Sequence, residues 1–398
     1  MLQEHLYIKK KYSIVALIIL STTLIGCVPV PEEVKNRMED YGQNRQMGDS
    51  ENQYCKIHEI DGKEFSKLSY EPENIKFNGN DKLEDIDSLY ILHMKFKEDY
   101  EKINAETVTN LLYPDHNEVL EEWTDGIQNR NLTFDSKKQK VYINICSNGS
   151  INYISGNLYD EFYQSKDGYQ IEKINETLID ATDEERQKKI NLSGTEMNLN
   201  GLAEKAESSI KDILPDYVFS TQADDFYLYK DSYGDCIKVN MSLLYEGVPL
   251  DSYVNHFNGQ QFYCDLICLQ NSMDFHSADQ FDCLNIVGQL DIDSRDVLTE
   301  VISPESALEI VDKTFSGFEP IEVEQVKIYY ALLPKEDSKF RFPGMSGQIV
   351  SGRPVYAFLI KKKNVEIASD SIPLKSNLYD YIYVDMQDGR VMTNIGEQ

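Results

Sequence analysis

The sequence of 398 residues has one tryptophan, Trp123, and none of the short motifs that identify the common catalytic and metal sites. It has no HExxH pair, which excludes a zincin-type metalloprotease as a motif match. It has no CxxC pair, so a zinc ribbon or a thioredoxin-like redox site is unsupported. It has no P-loop and no dinucleotide-binding glycine pattern. A single tryptophan also argues against a carbohydrate-binding platform of stacked aromatic side chains.

Basic residues are scarce: 39 Lys and Arg stand against 68 Asp and Glu, which gives a formal net charge of −29. A chain with this charge repels nucleic acid and anionic lipid surfaces, so we expect no nucleic-acid partner. The apolar content of 41% and the 26 tyrosines are sufficient for hydrophobic cores, which excludes a disordered protein. The abundance of Tyr, Ile, Val and Phe favours strands.

Long apolar runs are also absent, and a short one lies near the N-terminus. Lysines at positions 9–11 precede an apolar stretch from about residue 12 to residue 20, which is too short for a stable membrane span. A basic segment, a short apolar segment and small residues before a cut site form an export signal. The stretch that follows resembles a bacterial lipobox, formed by Leu24, Ile25, Gly26 and Cys27.

The lipobox resemblance implies cleavage by signal peptidase II before Cys27 and alkylation of the Cys27 thiol by a diacylglycerol. Each buried CH₂ of an acyl chain adds about 0.8 kcal/mol of membrane affinity, so two chains anchor stably where one does not. The predicted location is therefore the outer face of the cell membrane, with the membrane as a partner through the lipid. Removal of residues 1–26 takes away three lysines and Glu4, which changes the charge from −29 to −31.

Six cysteines remain after the predicted cleavage. An even number in an extracellular protein permits disulfides, with 15 connectivities for six cysteines. Cys264 and Cys268 are too far apart along a strand to bond each other. We expect mostly buried free thiols, and the disulfide state stays open for the whole set: Cys55, Cys146, Cys236, Cys264, Cys268 and Cys283.

Periodicity predicts several helices and strands. Strands are expected at 88–97 and 226–229, and the alternation at 141–155 around Asn148-Gly149 predicts a hairpin with a type I′ turn. Helices are expected over 104–112, over a short stretch from Val119 to Trp123, over 199–214 and from Pro304 onward, with Ser303 as the N-cap.

The sequence predicts a helix followed by antiparallel strands twice, and this order resembles the PepSY-like module. The later copy is carried by Ser303-Pro304-Glu305-Ser306-Ala307-Leu308, by the strands at 326–330 and 354–358, and by the closing strands around Asp388-Gly389. The earlier copy is carried by Leu243-Leu244-Tyr245-Glu246-Gly247-Val248-Pro249. The layout is also similar to uncharacterised lipoproteins of Gram-positive bacteria and to extracytoplasmic accessory proteins that restrain cell-wall sensor kinases.

The resemblance implies an α+β fold, with a mixed N-terminal domain followed by two helix-plus-antiparallel-sheet modules. The expected organisation is a signal peptide (1–26), a flexible tether (27–53), an N-terminal α+β domain (54–195) and two PepSY-like modules (196–295 and 296–398). The resemblance supplies no catalytic residues and no cofactor.

Three patterns in the sequence have part of the spacing of a chemical site. Asp274, His276, Asp279 and Asp282 are spaced like no known metal site, so a solvated loop is favoured and no metal is predicted. Asp291 and Asp293 begin like a calcium loop, but Arg295 stands where an oxygen ligand is needed. Ser208 and Lys211 have the spacing of a serine–lysine nucleophile without its companion motifs.

The sequence thus predicts no catalytic residue and a protein that is not an enzyme. The leading hypothesis is a lipid-anchored extracellular lipoprotein that acts by contact with an envelope protein or peptide. An open sheet edge that accepts a partner strand is one way to make that contact. The alternative is a solute-binding lipoprotein of an importer, which needs parallel βαβ units and a hinged cleft. Sheet topology distinguishes the two hypotheses.

Overall fold

The computed structural model describes residues 33–34, 36–37, 53–114, 119–124, 129–135, 140–156, 174–251, 256–257, 260–261, 270–318, 320–334, 347–361 and 379–393. Within these residues, strands far outnumber helices, and four α-helices have defined bounds. None of the helices in this part of the chain combines the length and the apolar character that a membrane span requires.

The helices are α1 (Tyr100–Leu112), α2 (Asp183–Arg186), α3 (Leu199–Ile213) and α4 (Pro304–Thr314). The strands are β1 (Tyr54–Lys56), β2 (Ile75–Asn80), β3 (Leu89–Phe96), β4 (Val119–Thr124), β5 (Asn129–Asp135), β6 (Lys140–Cys146), β7 (Ile151–Ser155), β8 (Ile174–Asp180), β9 (Lys189–Leu192), β10 (Thr195–Asn198), β11 (Ser220–Asp231), β12 (Gly234–Tyr245), β13 (Val248–Asp251), β14 (His256–Phe257), β15 (Gln260–Gln261), β16 (Gln270–Phe275), β17 (Cys283–Ile286), β18 (Leu290–Leu298), β19 (Glu300–Ile302), β20 (Ile321–Pro334), β21 (Ile349–Lys361), β22 (Tyr379–Asp385) and β23 (Val391–Thr393).

Most of these strands belong to two large sheets. Sheet 1 is antiparallel throughout, in the order β4-β5-β6-β7-β17-β16-β12-β11-β8. Sheet 2 contains β18-β3-β21-β20, and β22, β23, β14 and β15 extend it from the second half of β21. Strand β13 pairs with β12 of sheet 1 and, in parallel, with β20 of sheet 2, so it connects the two sheets.

Each sheet buries one face against helices. Apolar side chains of α1 and α3, for example Val108 and Leu202, belong to one hydrophobic cluster with side chains of sheet 1 such as Val239 and Met273. Apolar side chains of α4, including Leu308 and Val311, pack on sheet 2 in the same way. Burial of one such side chain stabilises the fold by about 1.5–3 kcal/mol, so these two cores supply the main driving force for folding.

The helix ends follow the sequence signals. The Asn198 side chain accepts a hydrogen bond of 2.9 Å from the Gly201 amide at the start of α3. The Ser303 hydroxyl accepts one of 3.2 Å from the Ser306 amide, and Pro304 occupies the first position of α4. These caps satisfy backbone donors that have no partner within the helix. The predictions for both helices are confirmed.

The predicted fold class is wrong. The protein is mainly β, with large antiparallel and mixed sheets, and is not an α+β chain of helix-plus-sheet modules. The expected helix from Val119 to Trp123 is strand β4, which pairs with β5. The apolar residues of that stretch fit either period, and pairing with β5 decides in favour of the strand.

The strands near the N-terminus pair with strands near the C-terminus. Strand β1 pairs with β19, β2 pairs in parallel with β20, and β3 lies between β18 and β21. Strand β7 pairs with β17 in sheet 1. Strand pairing therefore crosses both predicted boundaries, at residues 195 and 295.

Part of the predicted tether at 27–53 is held against the fold. Val34 is buried in the core of sheet 2 and α4. The Arg37 guanidinium donates a hydrogen bond of 3.2 Å to the Thr314 carbonyl and also bonds Ser316, both at the end of α4. The positive side chain complements the carbonyl groups that a helix leaves without partners at its C-terminus.

The hairpin of β6 and β7 is confirmed, but its turn differs from the predicted type I′. The Gly149 amide bonds the Cys146 carbonyl at 2.9 Å, and Gly149, unlike Asn148, has a positive φ, of 84°. This arrangement is a type I turn followed by a glycine in the left-handed region. The Gln289 side chain stabilises the turn, since its Nε2 donates a hydrogen bond of 2.8 Å to the Gly149 carbonyl.

Replacement of Gly149 with alanine is expected to lower the free energy of unfolding by about 1–3 kcal/mol. Alanine at this position has an unfavourable positive φ, and its Cβ lies 2.9 Å from the Gln289 Cβ. Urea unfolding followed by circular dichroism measures the change. Gly194 has a similar φ of 87° but open space around it, so Gly194→Ala is the matched control and should show the smaller loss. Equal losses would mean that the contact with Gln289 does not matter.

Candidate functional site

Four strands of sheet 1 carry the same triplet, an asparagine between two apolar residues. The triplets are Ile143-Asn144-Ile145, Ile151-Asn152-Tyr153, Val239-Asn240-Met241 and Leu284-Asn285-Ile286. Alternation along a strand sends the apolar residues to one face and the asparagine to the other. Asparagine is depleted in strands, so its repetition at equivalent positions is unusual.

The strand registers place these asparagines side by side. Asn240 lies opposite Ser272, Ser272 opposite Asn285, Asn285 opposite Asn152, and Asn152 opposite Asn144. We call these five residues the amide row. Neighbouring strands are about 4.8 Å apart, so the row presents neutral polar groups at that interval across the sheet. It lies on the face opposite the helices α1 and α3, because the flanking apolar residues form the core with those helices.

The ends of the row are hydrogen-bonded and its centre is not. Asn240 Nδ2 donates to Asp225 Oδ1 at 2.5 Å, and Asn144 Nδ2 donates to the Tyr142 hydroxyl at 3.1 Å. The side chains of Ser272, Asn285 and Asn152 make no hydrogen bond in the described structure. Ser272 is only 9% exposed, and Asn285 and Asn152 are half-buried. Their polar atoms are not among the fully buried atoms that lack a hydrogen-bond partner, so these side chains keep contact with solvent.

The neighbouring row on the same face contains a buried ion pair. Lys238 Nζ lies 3.4 Å from Asp274 Oδ1, and both side chains are 9% exposed. The Tyr229 hydroxyl donates to the other carboxylate oxygen of Asp274 at 3.4 Å. Burial by itself lowers the pKa of Lys238, but the Asp274 carboxylate outweighs burial and raises that pKa above 10.5. Lys238 is therefore a fixed positive charge that Asp274 neutralises.

The imidazole of His276 is held between two carboxylates at the edge of this face. His276 Nε2 lies 2.9 Å from Asp231 Oδ2, and Nδ1 lies 3.1 Å from Asp282 Oδ2. Burial by itself lowers the pKa of His276, but the two carboxylates outweigh burial and raise that pKa from 6.5 to about 12. The reciprocal effect lowers the pKa of Asp231, where the hydrogen bond from His276 outweighs burial. The ring is therefore an imidazolium at neutral pH.

The chemistry available to this cluster is limited. A general base needs a free ring nitrogen, and both nitrogens of His276 face carboxylates. A nucleophilic cysteine needs a lowered pKa, whereas burial raises the pKa of both Cys236 and Cys283. The described residues contain no group of three or more His, Cys, Asp or Glu side chains suited to a metal ion. The cluster acts as a set of fixed charges that join β11, β12 and β16.

The residues of the three sequence patterns do not form the sites that their spacing suggests. His276 and Asp282 meet, Asp274 bonds Lys238 instead, and Asp279 is exposed. Ser208 and Lys211 lie exposed on α3, where the Ser208 hydroxyl donates to the Lys205 carbonyl. Cys55, Cys146, Cys236 and Cys283 are free thiols. The lipobox residues Leu24, Ile25, Gly26 and Cys27, together with Cys264 and Cys268, lie outside the described residues.

A second candidate is the open edge of sheet 2. Strand β18 pairs with β3 on one side, and no described strand pairs with its other side. Most of its nine residues are exposed, including Val297 at 64%. Its side chains include Asp291, which pairs with Lys97 at 3.4 Å, and Asp296, which pairs with His93 at 2.9 Å. An irregularity in the register between Ile292 and Ser294 interrupts the strand.

Comparison with known proteins gives limited information. No family model matches the chain, and the search of curated proteins returns no match. An uncharacterized protein from Eubacterium rectale is similar in structure, with 15% identity, coverage of 92% of this chain and 99% of that chain, and a TM-score of 0.48. The Bacillus megaterium YpeB C-terminal domain matches with 15% identity, 74% and 96% coverage, and a TM-score of 0.32. Both TM-scores are below 0.5 and both identities are 15%, so neither match assigns a fold family or a function, and the PepSY-like relationship stays a prediction.

Proposed function

We propose that this protein is a lipid-anchored extracellular lipoprotein that acts without catalysis, by contact with a protein or peptide at the cell envelope. Cys27 is its lipid attachment site in this proposal. The observation that carries the proposed contact is the open edge strand β18, whose unpaired side is a template for a partner strand. The antiparallel pairing throughout sheet 1 also favours this function over a solute-binding fold with parallel βαβ units.

The charges of β18 favour a partner other than a second copy. Asp291, Asp293 and Asp296 repel an identical strand, which is a common protection of edge strands against self-association. The Arg295 guanidinium is already engaged by Glu246 at 2.7 Å and lies over the Tyr90 ring. A partner strand with basic side chains meets no such repulsion.

Site-specific photo-crosslinking in cells tests the contact. A photo-reactive amino acid at Val297 is expected to capture one envelope protein, because Val297 lies on the open edge. Ile103 is 78% exposed on α1 and serves as the matched control, which should capture nothing specific. Cys27→Ala in the same chain removes the predicted lipid and should reduce the Val297 adduct severalfold.

Two outcomes would contradict the proposal. Identical adducts from Val297 and Ile103 would place the contact elsewhere than the β18 edge. An unchanged Val297 adduct and unchanged membrane association in the Cys27→Ala protein would remove the lipid anchor. Capture of an importer permease would instead favour the solute-binding alternative.

A further inference from the structure

We propose that the open edge of β18 binds a short basic strand, an extended segment of about five residues in which lysine or arginine alternates with an apolar residue. The edge is the one in the proposed contact function, on which this inference rests. The geometry limits the pairing to residues 294–298, which we call the pairing segment, and gives the partner one basic face and one apolar face.

The pairing segment has backbone groups that point away from β3 at alternate residues. In an antiparallel pair, every second pair of opposite residues exchanges no hydrogen bonds, and its amide and carbonyl groups point outward. Tyr90 of β3 belongs to such a pair, since its amide donates to the Tyr330 hydroxyl at 3.2 Å and not to β18. Val297 lies opposite Tyr90, so its own amide and carbonyl point to the open edge. Arg295, two residues earlier in the same regular stretch, has the same orientation.

The first half of β18 is closed to a partner strand. The Leu290 amide also points away from β3, but it donates to the Tyr217 hydroxyl at 2.9 Å. The irregularity in the register between Ile292 and Ser294 then breaks the alternation of the strand. Strand β19, which follows β18, already pairs with β1. The pairing segment between these limits has room for a partner of about five residues.

One face of the pairing segment is acidic. Asp296 lies on the face of sheet 2 that also carries His93, and its side chain is 72% exposed. A partner side chain opposite Asp296 has its Cβ atom about 4.5–5.5 Å away, where opposite charges attract and like charges repel. The present pair of Asp296 with His93, at 2.9 Å, is exposed and contributes little, so a lysine or arginine of the partner competes with it easily. Asp291 and Asp293 add negative charge earlier in the same strand.

The other face of the pairing segment favours an apolar partner residue. Val297 is 64% exposed on that face, and the Arg295 guanidinium lies 4.6 Å from the centre of the Tyr90 ring. Arg295 is also paired with Glu246 at 2.7 Å, so its charge is compensated. An apolar side chain opposite Val297 removes apolar surface of both residues from water, which favours binding.

A pairing of this kind already occurs on the next strand. Strand β1 has the sequence Tyr-Cys-Lys and pairs antiparallel with β19, and Lys56 lies opposite Glu300. One residue, Thr299, separates β18 from β19. The chain therefore pairs a short strand, with a basic residue opposite an acidic one, directly next to the pairing segment.

Binding of short peptides to the detergent-solubilised full-length protein, measured by fluorescence anisotropy, tests the pairing. The probe is dye-labelled Lys-Val-Lys-Val-Lys with blocked ends, which is expected to bind with a Kd between about 10 μM and 1 mM. Three peptides of the same length are the controls. Glu-Val-Glu-Val-Glu has the opposite charge, Lys-Lys-Lys-Val-Val lacks the alternation, and Lys-Pro-Lys-Pro-Lys lacks two amide donors. Each control should bind at least roughly fivefold more weakly than the probe.

Substitutions on β18 separate the role of charge from the role of the backbone. Asp296→Asn should weaken binding of the probe by about twofold to fivefold, whereas Asp235→Asn, at an exposed acidic residue of sheet 1, should leave it unchanged. Val297→Pro removes the outward amide at a position where an edge strand tolerates proline, and should weaken binding by at least about tenfold. Val297→Ala keeps that amide and should bind the probe more tightly than Val297→Pro. Circular dichroism checks that each variant keeps its strand content.

The outcomes distinguish the basic strand from the wider contact function. Preference for the probe over all three controls, reduced by Asp296→Asn and by Val297→Pro, supports the pairing. Equal binding of Lys-Lys-Lys-Val-Val or Lys-Pro-Lys-Pro-Lys would overturn it, because attraction by charge alone then explains the binding. If no peptide binds while the Val297 photo-adduct persists in cells, the partner is not a basic strand although the contact function stands. Loss of both the peptide binding and the photo-adduct would overturn both.

Discussion

Replacement of Lys238 with alanine is expected to lower the free energy of unfolding by about 3–5 kcal/mol, the loss typical of one partner removed from a buried ion pair. The carboxylate of Asp274 stays buried, and its Oδ1 atom has no hydrogen bond, so the Lys238 ammonium at 3.4 Å is its compensation. The Tyr229 hydroxyl contacts only the other oxygen. Urea unfolding of the single variant against the unsubstituted protein measures the loss.

The double variant Lys238→Met with Asp274→Leu is the control. It removes both charges together and leaves apolar side chains of similar volume, so most of the lost stability should return. Lys230 pairs with Asp235 at 3.9 Å with both side chains at least half exposed, and Lys230→Ala should cost less than about 1 kcal/mol. If the double variant is as unstable as Lys238→Ala, then the loss comes from packing and not from an uncompensated charge.

Stability is expected to depend on pH through His276. The pKa of His276 is raised from 6.5 to about 12 because the hydrogen bonds with Asp231 and Asp282 outweigh burial. A raised native pKa gives stability that is complete below the unfolded value of 6.5 and is lost as the pH rises toward the native value. In this window the unfolding free energy falls by up to about 1.4 kcal/mol per pH unit relative to a variant without the histidine.

The measurement compares the unsubstituted protein with His276→Asn between about pH 6 and about pH 9. This range lies largely between the unfolded and the native pKa of His276. The difference in unfolding free energy should shrink as the pH rises. Nitrogen NMR of the imidazole gives an independent check, since the ring should remain protonated at mildly alkaline pH. If the two stability curves run parallel with pH, or if the ring titrates near its ordinary pKa, then Asp231 and Asp282 do not hold His276 protonated.

The sequence predicted local elements well where the signal lies within a few residues. Ser303 with Pro304 begins α4, and the alternation around Asn148-Gly149 gives the β6–β7 hairpin. The fold class was wrong because it depends on partners distant in the chain. Nothing near β3 indicates that its neighbours are β18 and β21. The resemblance to a helix-plus-sheet module also predicts domain boundaries at residues 195 and 295, and strands on opposite sides of these boundaries pair with each other.

The candidate site was missed for a related reason. The apolar–asparagine–apolar triplets are visible in the sequence, at 143–145, 151–153, 239–241 and 284–286. Their spacing along the chain is irregular, and only the strand order brings them into one row. The sequence pattern around His276 includes Asp282, but Asp231, the second carboxylate at the ring, lies 45 residues away in the chain. Sequence reasoning finds such partners only when the topology is known.

The pairing of early with late strands has a consequence for how the chain acquires its fold. A ribosome delivers β1, β2 and β3 first, yet their partners begin at β18, β19, β20 and β21. Closure of such long loops costs entropy before the contacts form, and topologies of high contact order fold slowly. Until the last hundred or so residues emerge, the apolar face of β3 has no sheet to join. A nascent chain therefore exposes the apolar side chains of these strands for longer than one built from successive, self-contained modules.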